Sequence, residues 1–237
     1  MAHRRDRATL IVVLAAITLV SWTWIVVMAR DMYGPMTGPG AWMMTPHWDA
    51  PHLLLLWAMW AVMMTAMMLP SATPMVMLAR KHAYPLALGY VSVWALFSVA
   101  ATALQWILGQ TFAMTPMMEA SSATVSAVFL LIAGVYQWTP LKQACLTTCQ
   151  SPMAFLARRW RSGAAGAFRM GAEHGVHCVG CCWALMLLLF AGGVMNLWVI
   201  AALTLFVGFE KLMPFGAHST RISGALLVAT AVWLLTT

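Results

Sequence analysis

Long apolar segments separated by short polar stretches dominate the chain. A helix needs about 20 mostly apolar residues to cross a membrane. Seven segments meet this requirement and are predicted to be transmembrane helices, at roughly 9–28, 52–77, 84–108, 122–138, 175–193, 197–213 and 218–236. Pro70 and Pro74 fall inside the second segment, so we expect a kink or a break there. The pattern predicts an all-α, polytopic transmembrane bundle of about seven helices (six to seven), forming a single domain over 1–237.

Composition supports this assignment. The chain is 62% hydrophobic and 8% charged, whereas a soluble domain carries about 25% charged residues. The lipid bilayer is therefore the expected surrounding. A net charge of +7 is also found in nucleic-acid-binding proteins, but here the basic residues come in clusters between apolar segments, which is a membrane-topology pattern, and we expect no nucleic acid partner. No small-residue cleavage site follows the first apolar segment, which is expected to be a retained helix.

The distribution of Lys and Arg predicts the orientation. If the N-terminus lies inside and seven helices alternate, twelve of the 13 basic residues fall on the inner side and only Arg30 falls outside. The inner residues are Arg4, Arg5, Arg7, Arg80, Lys81, Lys142, Arg158, Arg159, Arg161, Arg169, Lys211 and Arg221. The predicted location is the bacterial cytoplasmic (inner) membrane. The basic inner segment 139–174 is either an amphipathic stretch along the membrane surface or an ordinary positive-inside loop.

The stretch "AEHGVHCVGCCWALM" concentrates soft ligands at the start of the fifth apolar segment. Spacings of four, seven and eight residues place four of these side chains on one helix face, and His177 with Cys181 on the neighbouring strip. The four are His174, Cys178, Cys181 and Cys182. Thiolates and imidazoles favour Cu(I) and Zn(II) over Mg²⁺ or Ca²⁺. The stretch therefore predicts a metal site at the inner end of this helix.

Two further cysteines, Cys145 and Cys149 in "ACLTTC", fall on the same predicted side and are candidate partners. The cytoplasm is reducing, so structural disulfides are not expected there, and metal or redox chemistry is favoured. Two alternatives remain open. Cysteine is also an ordinary small residue of membrane helices, and "CVGC" matches the C-x-x-C pattern of a thiol–disulfide relay.

The chain contains 21 methionines. In the second apolar segment Met59, Met63 and Met67 recur at intervals of four, which places their thioethers in a row on one helix face. Uncharged thioethers bind Cu(I) and few other biological metals. Methionine also fills irregular gaps in helix cores. Met63 and Met67 are therefore candidate copper ligands, with core packing as the alternative.

The first outer loop contains an H-x-D-x-x-H pattern formed by His47, Asp49 and His52. Two imidazoles and a carboxylate at this spacing form a candidate metal site, and two interfacial histidines are equally consistent with amphipathic anchoring. Glu210, at the inner end of the sixth segment, is either a functional intramembrane carboxylate or an interfacial residue beside Lys211.

Three motifs carry a family resemblance: "AMMLPS" at Ala66–Ser71, "GCCWALM" at Gly180–Met186 and "GGVMN" at Gly192–Asn196. Together they resemble the bacterial predicted metal-binding integral membrane proteins, a family built on a domain of unknown function. The resemblance covers about 51–214 and leaves out the helices 9–28 and 218–236. It implies a polytopic inner-membrane protein with a metal site. The motif positions, without known roles, are Met63, Met64, Met67, Met68, Pro70, Cys181, Cys182, Met195 and Asn196.

These patterns lead to the hypothesis of an inner-membrane protein that binds or moves a soft metal ion, copper in the first place, with zinc as the alternative. Outer Met and His residues would capture the ion and an inner Cys/His face would receive it. The expected partners are a periplasmic metal carrier or a membrane enzyme. A membrane thiol–disulfide relay, and an assembly factor or structural subunit of a membrane metalloenzyme, stay as alternatives. The chain has no Walker motif for an ATP-driven pump, and a non-enzymatic role is favoured.

Overall fold

The computed structural model describes residues 2–34, 37–38, 40, 43, 48–111, 113–115, 117–213 and 216–236, and these form helices without a β-strand. His47 lies outside the described residues. The helices are α1 (Ala2–Met32), α2 (Ala50–Leu78), α3 (Ala83–Gln110), α4 (Ala123–Tyr136), α5 (Pro140–Gln150), α6 (Pro152–Arg159), α7 (Gly163–Met186), α8 (Leu188–Gly192), α9 (Leu197–Leu212) and α10 (Gly216–Thr236). The predicted all-α class is confirmed.

Among the described residues, five helical stretches are long and apolar enough to cross a membrane: Asp6–Met32, Ala50–Leu78, Ala83–Gln110, Gly163–Gly192 and His218–Thr236. The α4–α5 pair makes a sixth if it counts as one span, although it is bent by 68°. The predicted segment 197–213 corresponds to α9, whose 16 residues extend about 24 Å. That is shorter than a hydrocarbon core of about 30 Å, so seven full spans stay a prediction.

Two local expectations differ from the structure. The helix α2 continues through Pro70 and Pro74, so the possible break is absent. Pro70 and Pro74 leave the carbonyls of Ala66 and Pro70, four residues earlier, without their helical donors, and the helix continues despite these two missing bonds. The segment 139–174 is not a loop, because it forms α5, α6 and the first turns of α7. The helix α6 is amphipathic, with Phe155 and Leu156 buried.

A seam of small residues joins α3 to α7. A Cβ atom added at Gly89 would overlap the carbonyl oxygen of Phe168, and one added at Gly171 would overlap that of Leu86. One turn further along α7, Gly175 faces the Tyr90 carbonyl oxygen. These glycines let the two backbones approach closely, as small residues do between membrane helices. The two helices run parallel, and the seam brings Tyr90 of α3 against the middle of α7.

The two ends of the bundle differ in charge, and the end that carries most of the basic residues is called the basic end. At the basic end, one buried cluster joins the start of α1, the α2–α3 turn, α6 and the start of α7 through Leu10, Ala79, Phe155 and Ala167. At the opposite end, Val194 N of the α8–α9 turn donates to Met118 O of the segment between α3 and α4. This arrangement agrees with helices that alternate in direction. Which end faces the cytoplasm stays a prediction.

Two basic residues do not occupy the surface positions that the topology argument assumed for them. Lys142 of α5 is fully buried and Lys211 of α9 is 5% exposed. Each has a specific partner inside the bundle: Lys142 pairs with Glu210, and Lys211 contacts Cys178. They therefore add nothing to the positive-inside argument, which depends on the remaining basic residues.

Candidate metal centre

Four cysteines from two helices meet inside the bundle and form what we call the thiol cluster: Cys149, Cys178, Cys181 and Cys182. Cys149 comes from the last turn of α5 and the other three from α7. The Sγ atoms of Cys149 and Cys181 are 3.9 Å apart, and those of Cys181 and Cys182 are 3.2 Å apart. The three α7 thiols are each 1% exposed. All five cysteines of the chain are described and none forms a disulfide.

Polar groups from three other helices surround Cys178. Lys211 Nζ of α9 donates to Cys178 Sγ at 2.9 Å, and the Tyr90 hydroxyl of α3 lies 2.9 Å from the same sulfur. Lys211 Nζ also donates to Ser71 Oγ at 3.2 Å and lies 3.6 Å from Met68 Sδ, both of α2. An ammonium in contact with a buried sulfur favours the thiolate, which is the form that binds metals.

A buried ion pair fixes α5 to α9 beside the cluster. Lys142 Nζ lies 2.8 Å from Glu210 Oε2, and the two side chains are 0% and 1% exposed. Gln150 Nε2 of α5 donates to the Glu210 carbonyl oxygen at 2.7 Å. Glu210 is therefore an interior residue, which decides between the two interpretations of its sequence position. Because Cys149 lies on α5 and Lys211 on α9, these contacts set the positions of these two residues relative to each other.

The other residues predicted for the inner Cys/His face, which are His174, His177 and Cys145, lie at the border of the thiol cluster. The ring of His174 packs against Tyr90 and Phe155, with centroid distances of 5.8 and 5.4 Å, and its Nδ1 has no hydrogen-bond partner among the described residues. His177 Nδ1 is bonded to the Glu173 carbonyl oxygen. Cys145 is half-buried and its Sγ packs beside Gly180. Neither His177 nor Cys145 contributes to the thiol cluster.

The cluster is a set of paired contacts. Within the described residues, no three His, Cys, Asp or Glu side chains are arranged to hold one metal ion without adjustment. Two sulfurs bound at about 2.3 Å to one tetrahedral ion are about 3.8 Å apart. The separation of Cys149 and Cys181 Sγ, 3.9 Å, matches that value, whereas Cys181 and Cys182 Sγ, at 3.2 Å, are closer together. An ion therefore fits between thiols of α5 and α7 after a side-chain rotation in the pair on α7.

The methionines of α2 form a buried thioether row. Met59, Met63, Met67 and Met68 are all buried at 1% exposure or less. They cover about 14 Å of the helix axis at 1.5 Å per residue. The row ends at the thiol cluster, because Met68 Sδ contacts the same Lys211 ammonium as Cys178. Buried thioethers therefore follow α2 from Met59 to the edge of the thiol cluster.

Ligand-type residues at the opposite end have other partners. Asp49 is the N-cap of α2, and its Oδ1 accepts a hydrogen bond from His52 N at 3.0 Å. The buried His52 ring stands edge-on to Trp48 at 5.4 Å. Tyr33 donates to Glu119 Oε1 at 3.1 Å, and burial together with this carboxylate raises the pKa of Tyr33 to about 12. The predicted site of His47, Asp49 and His52 stays a prediction, since His47 is outside the described residues.

Three groups at the thiol cluster were absent from the sequence hypothesis: Lys211, Tyr90 and Ser71. Lys211 carried a usable signal, because a lysine within an apolar segment is costly unless it is paired, and therefore marks a function. Its position next to Glu210 and before Pro214 concealed this signal, since the pair resembles an interfacial helix end. Ser71 ends the "AMMLPS" motif, which gave it no role, and nothing in the sequence near Tyr90 distinguishes it from other membrane-helix residues.

Comparison with known proteins adds a family assignment. Residues 57–234 match the model of a family described as "PpoB2: Copper chaperone". The matched range covers about three quarters of the chain. It excludes α1, and it includes the thiol cluster, most of α2 and nearly all of α10. The comparisons with curated proteins and with solved structures gave no match.

Proposed function

The chain belongs to the PpoB2 copper chaperone family, and we propose that it holds its cargo, reduced copper, at the thiol cluster inside a helix bundle of the bacterial inner membrane. The ion is cargo that is received at one place and released at another. The acceptor is a membrane enzyme or a periplasmic carrier. Zinc, the alternative ion, is less consistent with this proposal because it gains little from the thioethers that adjoin the cysteines.

The observation that carries the proposal is the meeting of four buried thiols from α5 and α7. Thiolates bind Cu(I) and Zn(II) in preference to harder ions, and the thioethers beside the cluster favour Cu(I) of the two. Burial of Cys178, Cys181 and Cys182 at 1% exposure keeps water and oxidants away from the sulfurs. A free thiolate at a surface oxidises readily. The Lys211 ammonium, 2.9 Å from Cys178 Sγ, places a positive charge beside the sulfurs.

Thioethers provide the path to the cluster. Met63 and Met67 lie on α2 above Met68, which touches the Lys211 ammonium at the cluster. A thioether binds Cu(I) weakly and without charge, so an ion passes along such donors without being trapped. His52 at the start of α2, with the buried methionines of the opposite end, takes up the ion first, together with His47, which precedes it in the sequence. Asp49 contributes as the helix cap that positions His52.

A cavity at the basic end lies close to the thiol cluster in the sequence of its lining residues. This cavity of about 330 Å³ lies between α5, α6 and α7 and is lined by Thr147, Thr148, Ser151, Ala154, Phe155, Arg158, Arg159 and His177. Thr148 adjoins Cys149 and His177 adjoins Cys178 in the sequence. This cavity gives a solvent route to within one residue of the cluster, and His177 is the ligand along it.

The test measures copper in protein purified without added metal and after loading with Cu(I) under reducing conditions. We expect the Cys149→Ser and Cys181→Ser variants each to lose at least about 90% of bound copper, because a hydroxyl is a poor ligand for a soft ion. Cys145→Ser is the matched control, since Cys145 lies on the same helix as Cys149 but outside the cluster. Folded variants with unchanged copper content would refute the thiol cluster as the binding site.

One observation favours a second function. Cys149 and Cys181 Sγ are 3.9 Å apart across two helices, a separation from which a small movement would allow a disulfide, so a thiol–disulfide relay remains a candidate. A relay needs a thiol that a partner can reach, and the cluster thiols are buried. Thiol alkylation with and without a copper chelator separates the two. A metal site becomes reactive only when the chelator removes its ion, whereas a relay reacts according to the applied redox potential.

A further inference from the structure

The ammonium of Lys211 sits inside the candidate copper site. Its Nζ atom donates to Cys178 Sγ at 2.9 Å and to Ser71 Oγ at 3.2 Å, and lies 3.6 Å from Met68 Sδ. Lys211 is 5% exposed and Cys178 is 1% exposed. A lysine is a costly residue to place between apolar helices, because burying a charge is unfavourable unless the charge is paired. Its position calls for an electrostatic role.

We propose that Lys211 selects the charge of the bound ion: it makes the site neutral with a monovalent soft ion and positively charged with a divalent one. This inference rests on the proposed function and deepens it. With two cysteines of the thiol cluster bound as thiolates, the ligands carry two negative charges. The Lys211 ammonium and one Cu(I) ion balance them completely. A Zn(II) ion in the same place leaves one positive charge without compensation in a buried site.

The surroundings of Cys178 support this balance. The buried charges of Lys142 and Glu210, the residue before Lys211, compensate each other at 2.8 Å. Tyr90 and Ser71 contribute hydroxyl dipoles and no charge. Lys211 is therefore the counter-charge of the thiolates, and in a medium of low dielectric constant one unbalanced charge outweighs the hydrogen bonds around it.

The proposal explains how a thiol site avoids zinc. Thiolates bind Zn(II) well in structural sites, so four clustered cysteines do not exclude zinc by ligand type. A fixed positive charge within hydrogen-bonding distance of a sulfur of the thiol cluster penalises the second charge of the ion. The same charge assists Cu(I), because a Cu(I) ion with two thiolates alone is an anion that a buried site disfavours.

The experiment compares Cu(I) and Zn(II) affinities of the full-length protein in detergent, by competition with chromophoric chelators under anaerobic, reducing conditions. For Lys211→Met we expect Cu(I) binding to weaken and Zn(II) binding to strengthen, so that the preference for Cu(I) falls at least about tenfold. Lys211→Arg keeps the charge and is expected to keep the preference. Tyr90→Phe is the matched control, because it removes a group at the same sulfur without changing charge, and it should shift both ions in the same direction.

The outcomes separate this inference from the proposed function. If the parent protein holds no Cu(I), the proposed function fails. If the parent holds Cu(I) and Lys211→Met weakens both ions equally or leaves their ratio unchanged, Lys211 is a structural residue and only the inference fails. Lys211→Gln, which keeps a hydrogen-bond donor and lacks the charge, replaces Lys211→Met if the latter does not yield folded protein. The same fall in preference is expected from it, and an unchanged ratio overturns the proposal.

Discussion

The thiol cluster and the opposite end of the bundle both collect residues that bind metals in proteins, yet they are built differently. At the opposite end the carboxylates have structural partners. Asp31 accepts hydrogen bonds from Gly38 N and Gly40 N, Asp49 caps α2 and Glu119 accepts from Tyr33. In the thiol cluster the sulfurs contact one another and an ammonium. No helix end or turn there depends on them.

This difference teaches that residue type and spacing do not suffice to identify a ligand. The H-x-D-x-x-H pattern and the Cys/His stretch look equally suited to a metal in the sequence. Hydrogen bonding separates them, because a carboxylate oxygen that caps a helix contributes about 1 kcal/mol to its stability and is retained for that reason. The four thiols have no such local role, so their convergence from α5 and α7 needs another explanation, and the copper binding that we propose is one.

The largest effect on this comparison is expected when one charge of the buried ion pair beside the thiol cluster is removed. Lys142→Met leaves Glu210 buried without its cation, and we expect the free energy of unfolding to fall by about 3–5 kcal/mol. Unfolding in mixed micelles measures this loss. Arg159→Met is the control, because Arg159 pairs with Glu173 at the surface and is 53% exposed, and it should change stability by less than about 1 kcal/mol.

The double variant Lys142→Met/Glu210→Leu completes this test. It removes both charges and should recover most of the lost stability, since an apolar pair of similar volume often replaces a buried ion pair without cost. Equal losses in the single and double variants would mean that the packing of Lys142, and not its charge, holds α5 against α9.

Much of the fold was predictable from the apolar segments alone. Each of the long spanning helices α1, α2, α3, α7 and α10 corresponds to a predicted segment, because a membrane helix must be apolar along its whole length. The predicted segment 197–213 also matches α9 closely. The bend after α4 was not predictable, since it depends on how buried polar residues such as Lys142 and Glu210 pair. Segments interrupted by lysine look in the sequence like ends of helices at the membrane surface.

The site was predictable in part. The cysteines were found because their residue type is informative, and the hypothesis that Cys149 joins the α7 thiols agrees with the 3.9 Å contact. Lys211, Tyr90 and Ser71 come from helices far away in the sequence, and only tertiary packing reveals them. His177 was placed with the cluster by helical periodicity and Cys145 by its predicted side of the membrane, and neither argument shows how deeply a residue is buried.

The glycine seam offers the next test. Gly171→Ala places a methyl group against the Leu86 carbonyl oxygen and should cost about 1–3 kcal/mol through overpacking. It should also weaken Cu(I) binding, because α3 carries Tyr90 to Cys178. Gly208→Ala on α9 meets nothing within 4 Å and is the control, with unchanged or slightly higher stability. Copper binding that survives Gly171→Ala unchanged would show that Tyr90 is dispensable.

The thioether row connects the two regions, so its removal sharpens the comparison. Met63→Leu/Met67→Leu keeps volume and apolarity, and each change should cost less than about 1.5 kcal/mol. We expect copper content at the thiol cluster to be unchanged after loading of the purified protein, and the rate of loading in cells to fall. The control pair is Met77→Leu/Met153→Leu, two methionines outside the main core. Loading rates equal to those of the parent protein would mean that Met63 and Met67 serve in core packing and not in copper transfer.

The smallest effect concerns Asp49, which tests whether the opposite end contains a ligand or only a cap. Asp49→Ala removes the acceptor of His52 N and should lower stability by about 1 kcal/mol. Asp49→Asn keeps an oxygen in the same place, and asparagine caps helices as well as aspartate does, so stability and copper loading should both stay at parental values. A drop in copper loading with Asp49→Asn at unchanged stability would contradict this, because only the carboxylate charge has been lost. Asp49 would then be a metal ligand at the opposite end of the bundle, and both regions would contain residues that bind the ion.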